Sequence, residues 1–267
     1  MKFRSKKSLG QHFLLNPTTI DSILRKARLS AEDQILEIGP GPGLMTKKIA
    51  ERAKRLIAVE KDHYYAESLK EKLKRLPHVT VVRSDFLSLN LEKLLESGEW
   101  KVIANLPYNI ATEAIFHLLE VSSFFSSFYL MVQKEVALRL AAVPGSKNYG
   151  ILSIFSQLIS KNRVVMKLPP GAFTPPPKVD SAIVEFLIQE IPPYDIHHLP
   201  TFEAVVQAAF NQRRKMLRNA LLAKFSPIEV DAALEKAGIL PTRRAEEIAI
   251  GGFVRLANEI QGANSLR

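Results

Sequence analysis

At 267 residues, 46% apolar and 24% charged, the chain has the composition of a globular protein of one or two domains, which excludes disorder, collagen and coiled coil. The absence of cysteine excludes disulfide frameworks, iron–sulfur clusters, cysteine-held zinc and thiol nucleophiles. The net charge of +10 is uneven: residues 1–179 hold 27 basic and 16 acidic side chains and residues 180–267 hold 10 and 11, so a polyanionic partner is expected on the larger N-terminal part.

The first residues, MKFRSKKSLGQHFL, are basic, and Lys2, Arg4, Lys6 and Lys7 suit a flexible phosphate-binding arm. No apolar run behind them is long enough for a signal-peptide core, and no stretch approaches the ~18 apolar residues of a membrane span, so a cytoplasmic protein with no membrane partner is expected. Asn16-Pro17 reads as N-cap and first-turn proline of a helix to about Arg28. From 34 to 188, short β-rich runs alternate with helical periodicity. Strands are expected at 34–38, 55–59, 79–83, 101–105, 128–132, 163–167 and 182–188, and helices at about 43–53, 62–76, 110–120, 133–142 and 150–160. This alternation predicts an α/β domain with a mostly parallel sheet. LPPGAFTPPPKVD, between the last two runs, is too short and proline-rich for a crossover helix, so those strands are expected as an antiparallel pair at the sheet edge. IPPYDIHHLP (191–200) reads as a linker, and 201–261 as helices only. The expected organisation is an α/β domain over 1–190 and a small helical domain over 191–267.

The first strand of this series runs into Glu37-Ile38-Gly39-Pro40-Gly41-Pro42-Gly43 and then a helix. Such a turn lets backbone N–H groups approach a ligand closely at a strand's carboxyl end. Its G-x-G-x-G spacing lacks the G-x-G-x-x-G of dinucleotide folds, and no Walker lysine follows. Glu60, 21 residues beyond Gly39, closes the second strand, where a carboxylate can accept both hydroxyls of a ribose. Asp85 follows the third, where it can accept the exocyclic amine of an adenine. Together they describe a pocket for an adenosine-bearing cofactor. The fourth strand ends in Asn105-Leu106-Pro107-Tyr108. An exocyclic amine is a poor nucleophile because its lone pair is delocalised into the ring. The Asn105 oxygen and a backbone carbonyl held by the Pro107 turn would bind its two N–H protons and favour a pyramidal nitrogen, and Tyr108 offers a face for an extracted base. This chemistry needs no metal, and no second histidine or carboxylate has ligand spacing with His12.

These residues, together with Ser8-Leu9-Gly10-Gln11-His12-Phe13-Leu14, Ser84-Asp85, Phe173-Thr174-Pro175-Pro176-Pro177-Lys178-Val179-Asp180-Ser181 and Phe210-Asn211-Gln212-Arg213-Arg214-Lys215, stand in an order that resembles the small-subunit ribosomal RNA adenine N6-dimethyltransferases, the kasugamycin-sensitivity methyltransferase family. The resemblance implies a Rossmann-like methyltransferase sheet with a C-terminal all-helical domain and S-adenosylmethionine as cofactor. It also implies an enzyme that dimethylates two adjacent adenosines near the 3′ end of small-subunit ribosomal RNA as a monomer during ribosome biogenesis. It further implies that His12 and Leu14 contact the cofactor from the N-terminal segment, Gly39 lies beneath its methionine part, Glu60 holds the ribose, Asp85 the adenine amine, and Asn105 sits next to the sulfonium. Asn105, Leu106, Pro107 and Tyr108 are implied as the target-adenine site, with Phe173 as a second stacking surface. Arg213, Arg214 and Lys215 are expected to open a helix, compensated by an RNA phosphate or by an acid of the first domain. The alternatives are the large-subunit methyltransferases of macrolide resistance, a DNA adenine methyltransferase and a non-catalytic ribosome-assembly factor. The glycine spacing argues against a dehydrogenase.

Overall fold

The computed structural model describes residues 10–96 and 98–265, so the expectation for Lys2, Arg4, Lys6 and Lys7 lies outside them. In chain order the elements begin with β1 (Phe13–Leu14), α1 (Pro17–Lys26), β2 (Gln34–Ile38), α2 (Leu44–Ala50), β3 (Arg55–Glu60), α3 (His63–Leu73) and β4 (Val79–Arg83). There follow α4 (Leu91–Leu94), β5 (Trp100–Asn105), α5 (Ala111–Glu120), β6 (Phe125–Gln133), α6 (Lys134–Leu140), α7 (Ile151–Ile159), β7 (Ser160–Leu168), β8 (Phe173–Thr174) and β9 (Ser181–Ile188). The chain closes with α8 (Leu199–Asn211), α9 (Leu217–Leu221), α10 (Pro227–Lys236) and α11 (Ile250–Ser265).

Seven strands form one sheet in the order β4-β3-β2-β5-β6-β9-β7. The first five are mutually parallel, and β9 runs antiparallel to both β6 and β7. The expected antiparallel pair is therefore present, with β7 at the edge. From β2 the chain proceeds outward through β3 and β4, then returns to place β5 on the other side of β2. The carboxyl ends of β2 and β5 thus flank the topological switch point, where open α/β sheets leave a crevice for ligands. Continuous Ile, Leu and Val runs make these strands buried on both faces. One face packs Ile35, Leu56 and Ile103 against α1 and α2 through Ile20, Ile23, Leu24 and Ile49.

The start of α1 follows from its sequence: the Asn16 side chain accepts from Thr19 N at 3.0 Å and Pro17 opens the first turn. It ends at Lys26, short of the expected Arg28, which takes a left-handed φ of 49°. A two-residue pairing was not legible in the sequence: β1 joins β8 antiparallel, Phe13 opposite Thr174 and Leu14 opposite Phe173.

The chain divides into two compact units. One holds the residues through Leu138 together with Ser160–Glu190, and the other Arg139–Ile159 together with the residues from Ile191. This differs from a split at 190/191 in one respect: 139–159 goes with the C-terminal helices, because Ala142, Tyr149, Ile154 and Leu158 share a core with Phe202, Phe210 and Phe253. Within that second unit, Arg213, Arg214 and Lys215 do not open a helix. They lie in the turn after α8, where cations complement the negative end of a helix dipole. The Arg213 Nη2 donates to the Lys147 and Tyr149 carbonyls at 3.0 Å each, both within this unit. Among the described residues no helix is long and apolar enough to cross a membrane.

Candidate active site

The ends of β2, β3 and β5, the segment after β4 and the N-terminal segment enclose an open cleft with a cavity volume of about 120 Å³. Its lining includes Gly10 to Phe13, Gly39, Gly41, Glu60, Lys61, Asp85 and the run Asn105 to Ile110.

Glycine is required in the turn after β2 for both conformation and space. Gly41 has φ +55°, and a Cβ there would lie 2.8 Å from the Phe13 ring. This conformation turns the Gly41 amide onto Glu60, whose Oε2 accepts from it at 2.8 Å while Oε1 accepts from Asp62 N at 2.7 Å. Burial pushes the Glu60 carboxyl up, and the Asp62 and Gly41 amides pull it back. Asp85 caps the short turn that follows it, accepting from Leu87 N at 3.2 Å, and pairs with Lys61 Nζ at 2.6 Å. The Lys61 ammonium holds this carboxyl below the usual aspartate range.

Asn105 closes β5 at the switch point. Its Nδ2 donates to the His12 carbonyl at 2.7 Å, so the amide nitrogen is engaged by the N-terminal segment and the oxygen is left as the atom suited to an amine. Leu106 N donates to the Met131 carbonyl at 3.2 Å and Pro107 O accepts from Ile110 N at 3.1 Å, which fixes the turn after the strand. The Tyr108 hydroxyl and Ser181 Oγ are 2.6 Å apart, and the His12 ring stacks on Tyr108 with centroids 5.4 Å apart. His12 Nδ1 meets the Pro175 carbonyl at 2.7 Å, so 10–14 is strapped across the cleft by His12 at one point and by β1 at another.

His12, Gly39, Glu60, Asp85, Asn105, Leu106, Pro107 and Tyr108 are therefore brought together. Leu14 and Phe173 lie outside this lining, and Leu14 instead borders a smaller cavity with Gly39 and Asn105. Opposite each other in the β1–β8 pair, they are 8% and 3% exposed and join the core with Ile183, and neither lines the cleft. Phe173 packs here as an anchor, because a large aromatic ring behind a proline-rich loop buries more apolar area there than at a cleft mouth. Phe173→Ala is expected to cost about 3–5 kcal/mol of stability. Phe173→Leu, read by thermal melting and single-turnover methyl transfer, should keep the fold and leave the rate within a few-fold. Sequence reasoning had Ser181 only as the end of a motif, without its pairing to Tyr108, and did not find Lys61, the partner of Asp85; adjacency to Glu60 was the signal for Lys61.

Beside the cleft lies a smaller cavity of about 30 Å³, bounded by Leu14, Glu37, Gly39, Met45 and Asn105 among others. Glu37 is fully buried, and among the described residues neither of its carboxyl oxygens closes a well-formed hydrogen bond. Burial raises its pKa to about 8, with the Thr46 hydroxyl pulling down and the Glu60 charge pushing further up. Between its ordinary value near 4.5 and about 8 the folded chain keeps a proton that the unfolded chain has lost. Glu37 therefore costs progressively more stability as pH rises through that window, and nothing below it. Denaturant melts from pH 5 to pH 8 should show wild type losing on the order of 3 kcal/mol relative to Glu37→Gln. Parallel profiles would contradict this.

A model of the family described as ribosomal RNA adenine dimethylase matches residues 2–262. The chain is 42% identical over 266 residues to the ribosomal RNA small subunit methyltransferase A of Syntrophotalea carbinolica, covering 98% of each. It is 42% identical over 260 residues to that of Geobacter metallireducens, covering 95% of this chain and 94% of the relative. Among solved structures it is similar to a dimethyladenosine transferase from Plasmodium falciparum, with TM-score 0.79, 25% identity, and 95% and 98% of the two chains covered. The 23S rRNA methyltransferase ErmE gives TM-score 0.71 at 28% identity over 93% and 99%. A glycine turn, acids at the next two strand ends and an Asn-Leu-Pro-Tyr turn at the switch point, in a chain matched over nearly its whole length, place this protein in the ribosomal RNA adenine dimethylase family, whose cofactor is S-adenosylmethionine.

Proposed function

We propose that this protein N6,N6-dimethylates two adjacent adenosines near the 3′ end of small-subunit ribosomal RNA, acting in the cytoplasm as a monomer on the immature small subunit. The observation that carries the reading is Asn105: it ends the strand at the switch point and its amide nitrogen is tied to the His12 carbonyl, which presents its oxygen for an amine.

The residues present fit S-adenosylmethionine. Donor-rich ribose and adenine need acceptors, and Glu60 and Asp85 supply carboxylates at neighbouring strand ends; Gly39, with φ +67°, permits close approach beneath the methionine part. When bound, the cofactor supplies an electrophilic methyl on a sulfonium. The Asn105 oxygen accepts one N6 proton of the target adenine. The Leu106 carbonyl accepts the other, since that of Pro107 is used by Ile110. Both favour a nitrogen whose lone pair points at the methyl. Tyr108, anchored by Ser181, stacks on the base; the His12 ring now on it gives way or takes the opposite face. Positioning and water exclusion are the protein's contribution, and the amine loses its proton after attack.

Labelled methyl transfer tests the reading. Immature small subunits from a strain lacking the modification should accept four methyl groups each, and naked large-subunit RNA none; the reverse would favour the macrolide-resistance activity. RNA binding should fall steeply between 50 and 200 mM salt, by roughly 10³-fold for about six phosphate contacts. A flat response would mean that the basic field of residues 1–179 is not the RNA surface.

A further inference from the structure

Most buried polar atoms in a folded chain are paired, so an enclosed carboxyl whose oxygens close no well-formed hydrogen bond among the described residues calls for a cause. Glu37 sits on β2 at a position enclosed by its neighbours Ala58 on β3 and Ile103 on β5. From α2 it is faced by Met45 and by Thr46, whose hydroxyl is the polar side-chain group acting on it but closes no well-formed hydrogen bond; the remaining walls are Leu14, the prolines of the turn and Asn105. The titratable group acting on it is Glu60, another acid, and no cation among the described residues compensates it. The space between Glu37, Gly39 and Asn105 has the size of a water molecule, and Gly39 and Asn105 line both this cavity and the main cleft. Glu37 thus borders the same cavity as the two residues between which, on the reading above, the sulfonium rests.

We propose that Glu37 is a charge-sensing residue for the cofactor: a neutral acid in the free protein that releases its proton when a sulfonium seats between Gly39 and Asn105, and regains one when only the neutral thioether remains. The proposal rests on the cofactor placement proposed above. Its balance closes. As the N6–C bond forms and the S–C bond breaks, the amine sheds one proton and Glu37 takes one up. Carboxylate plus sulfonium become neutral acid plus neutral thioether, and the enclosed site keeps the same net charge throughout, as a low-dielectric interior favours. Glu37 then holds the reactive cofactor in preference to its spent form and aids exchange between the two methylations.

The test is calorimetric titration with S-adenosylmethionine and S-adenosylhomocysteine at pH 7, in two buffers of different ionisation enthalpy. The amino and carboxyl groups common to both ligands cancel in the comparison. Wild type should release close to one more proton with the sulfonium than with the thioether. Glu37→Gln should abolish that difference and lower the preference for the sulfonium at least tenfold. Carboxyl-carbon NMR of Glu37 in wild type reads the same event without a variant: protonated when free, ionised with S-adenosylmethionine, protonated with S-adenosylhomocysteine. Binding of both ligands with equal proton release, or a Glu37 signal that does not move, overturns the proposal alone. Failure of wild type to bind either ligand overturns the cofactor site as well.

Discussion

Asn105→Ala is expected to lower methyl transfer by on the order of 10²–10³-fold while small-subunit RNA still binds. Two effects combine. The acceptor that holds one N6 proton disappears, and with it the orientation that makes a delocalised amine nucleophilic. The donor to the His12 carbonyl disappears as well, so the strap across the cleft loses one of its fastenings. Asn105→Asp separates the two: it keeps an acceptor but sets a carboxylate against the His12 carbonyl oxygen, so cofactor retention suffers even though an amine acceptor is present. Single-turnover transfer and RNA binding, measured side by side, decide the matter. Loss of RNA binding in Asn105→Ala would mean that the residue holds the fold or the RNA rather than the amine.

Gly41→Ala is the second large effect. A side chain at φ +55° costs about 1–2 kcal/mol, and its Cβ would press into the Phe13 ring 2.8 Å away. The turn or the N-terminal segment must shift, and either shift moves the amide that fixes Glu60 Oε2. A total near 3 kcal/mol corresponds to about 100-fold weaker cofactor binding, read by calorimetry with S-adenosylhomocysteine. Wild-type affinity in this variant would show that the turn and Glu60 are not coupled.

Short-range chemistry was the legible part of this protein. The strands at 34–38 and 79–83 stand where runs of Ile, Leu and Val placed them, and the Asn16 cap and the glycine turn behave as their residues dictate locally. Glu60, Asp85 and Asn105 line one cleft because successive parallel strands end on the same side of the sheet. What escaped depended on partners distant in sequence. The two residues of β1 have no strand signature of their own and pair with a segment 160 or so positions away. That pairing turns Leu14 and Phe173 inward. The membership of 139–159 in the helical unit rests on Tyr149 and Ile154 meeting Phe202 and Phe210, which no local pattern announces. The carbonyls of Lys147 and Tyr149 that Arg213 Nη2 reaches are likewise 66 and 64 positions away. The burial of Glu37 was visible only in three dimensions, since nothing local separates it from Gln34 of the same strand.

A crystal structure with S-adenosylhomocysteine tests the central claim, that the strand ends form one cofactor site opening on the adenine site. The expected density places the adenine amine on Asp85, the ribose hydroxyls on Glu60 and the sulfur between Gly39 and Asn105, directed toward the Asn105–Tyr108 turn. Ligand bound with its sulfur away from Asn105, or outside this cleft, would contradict the account.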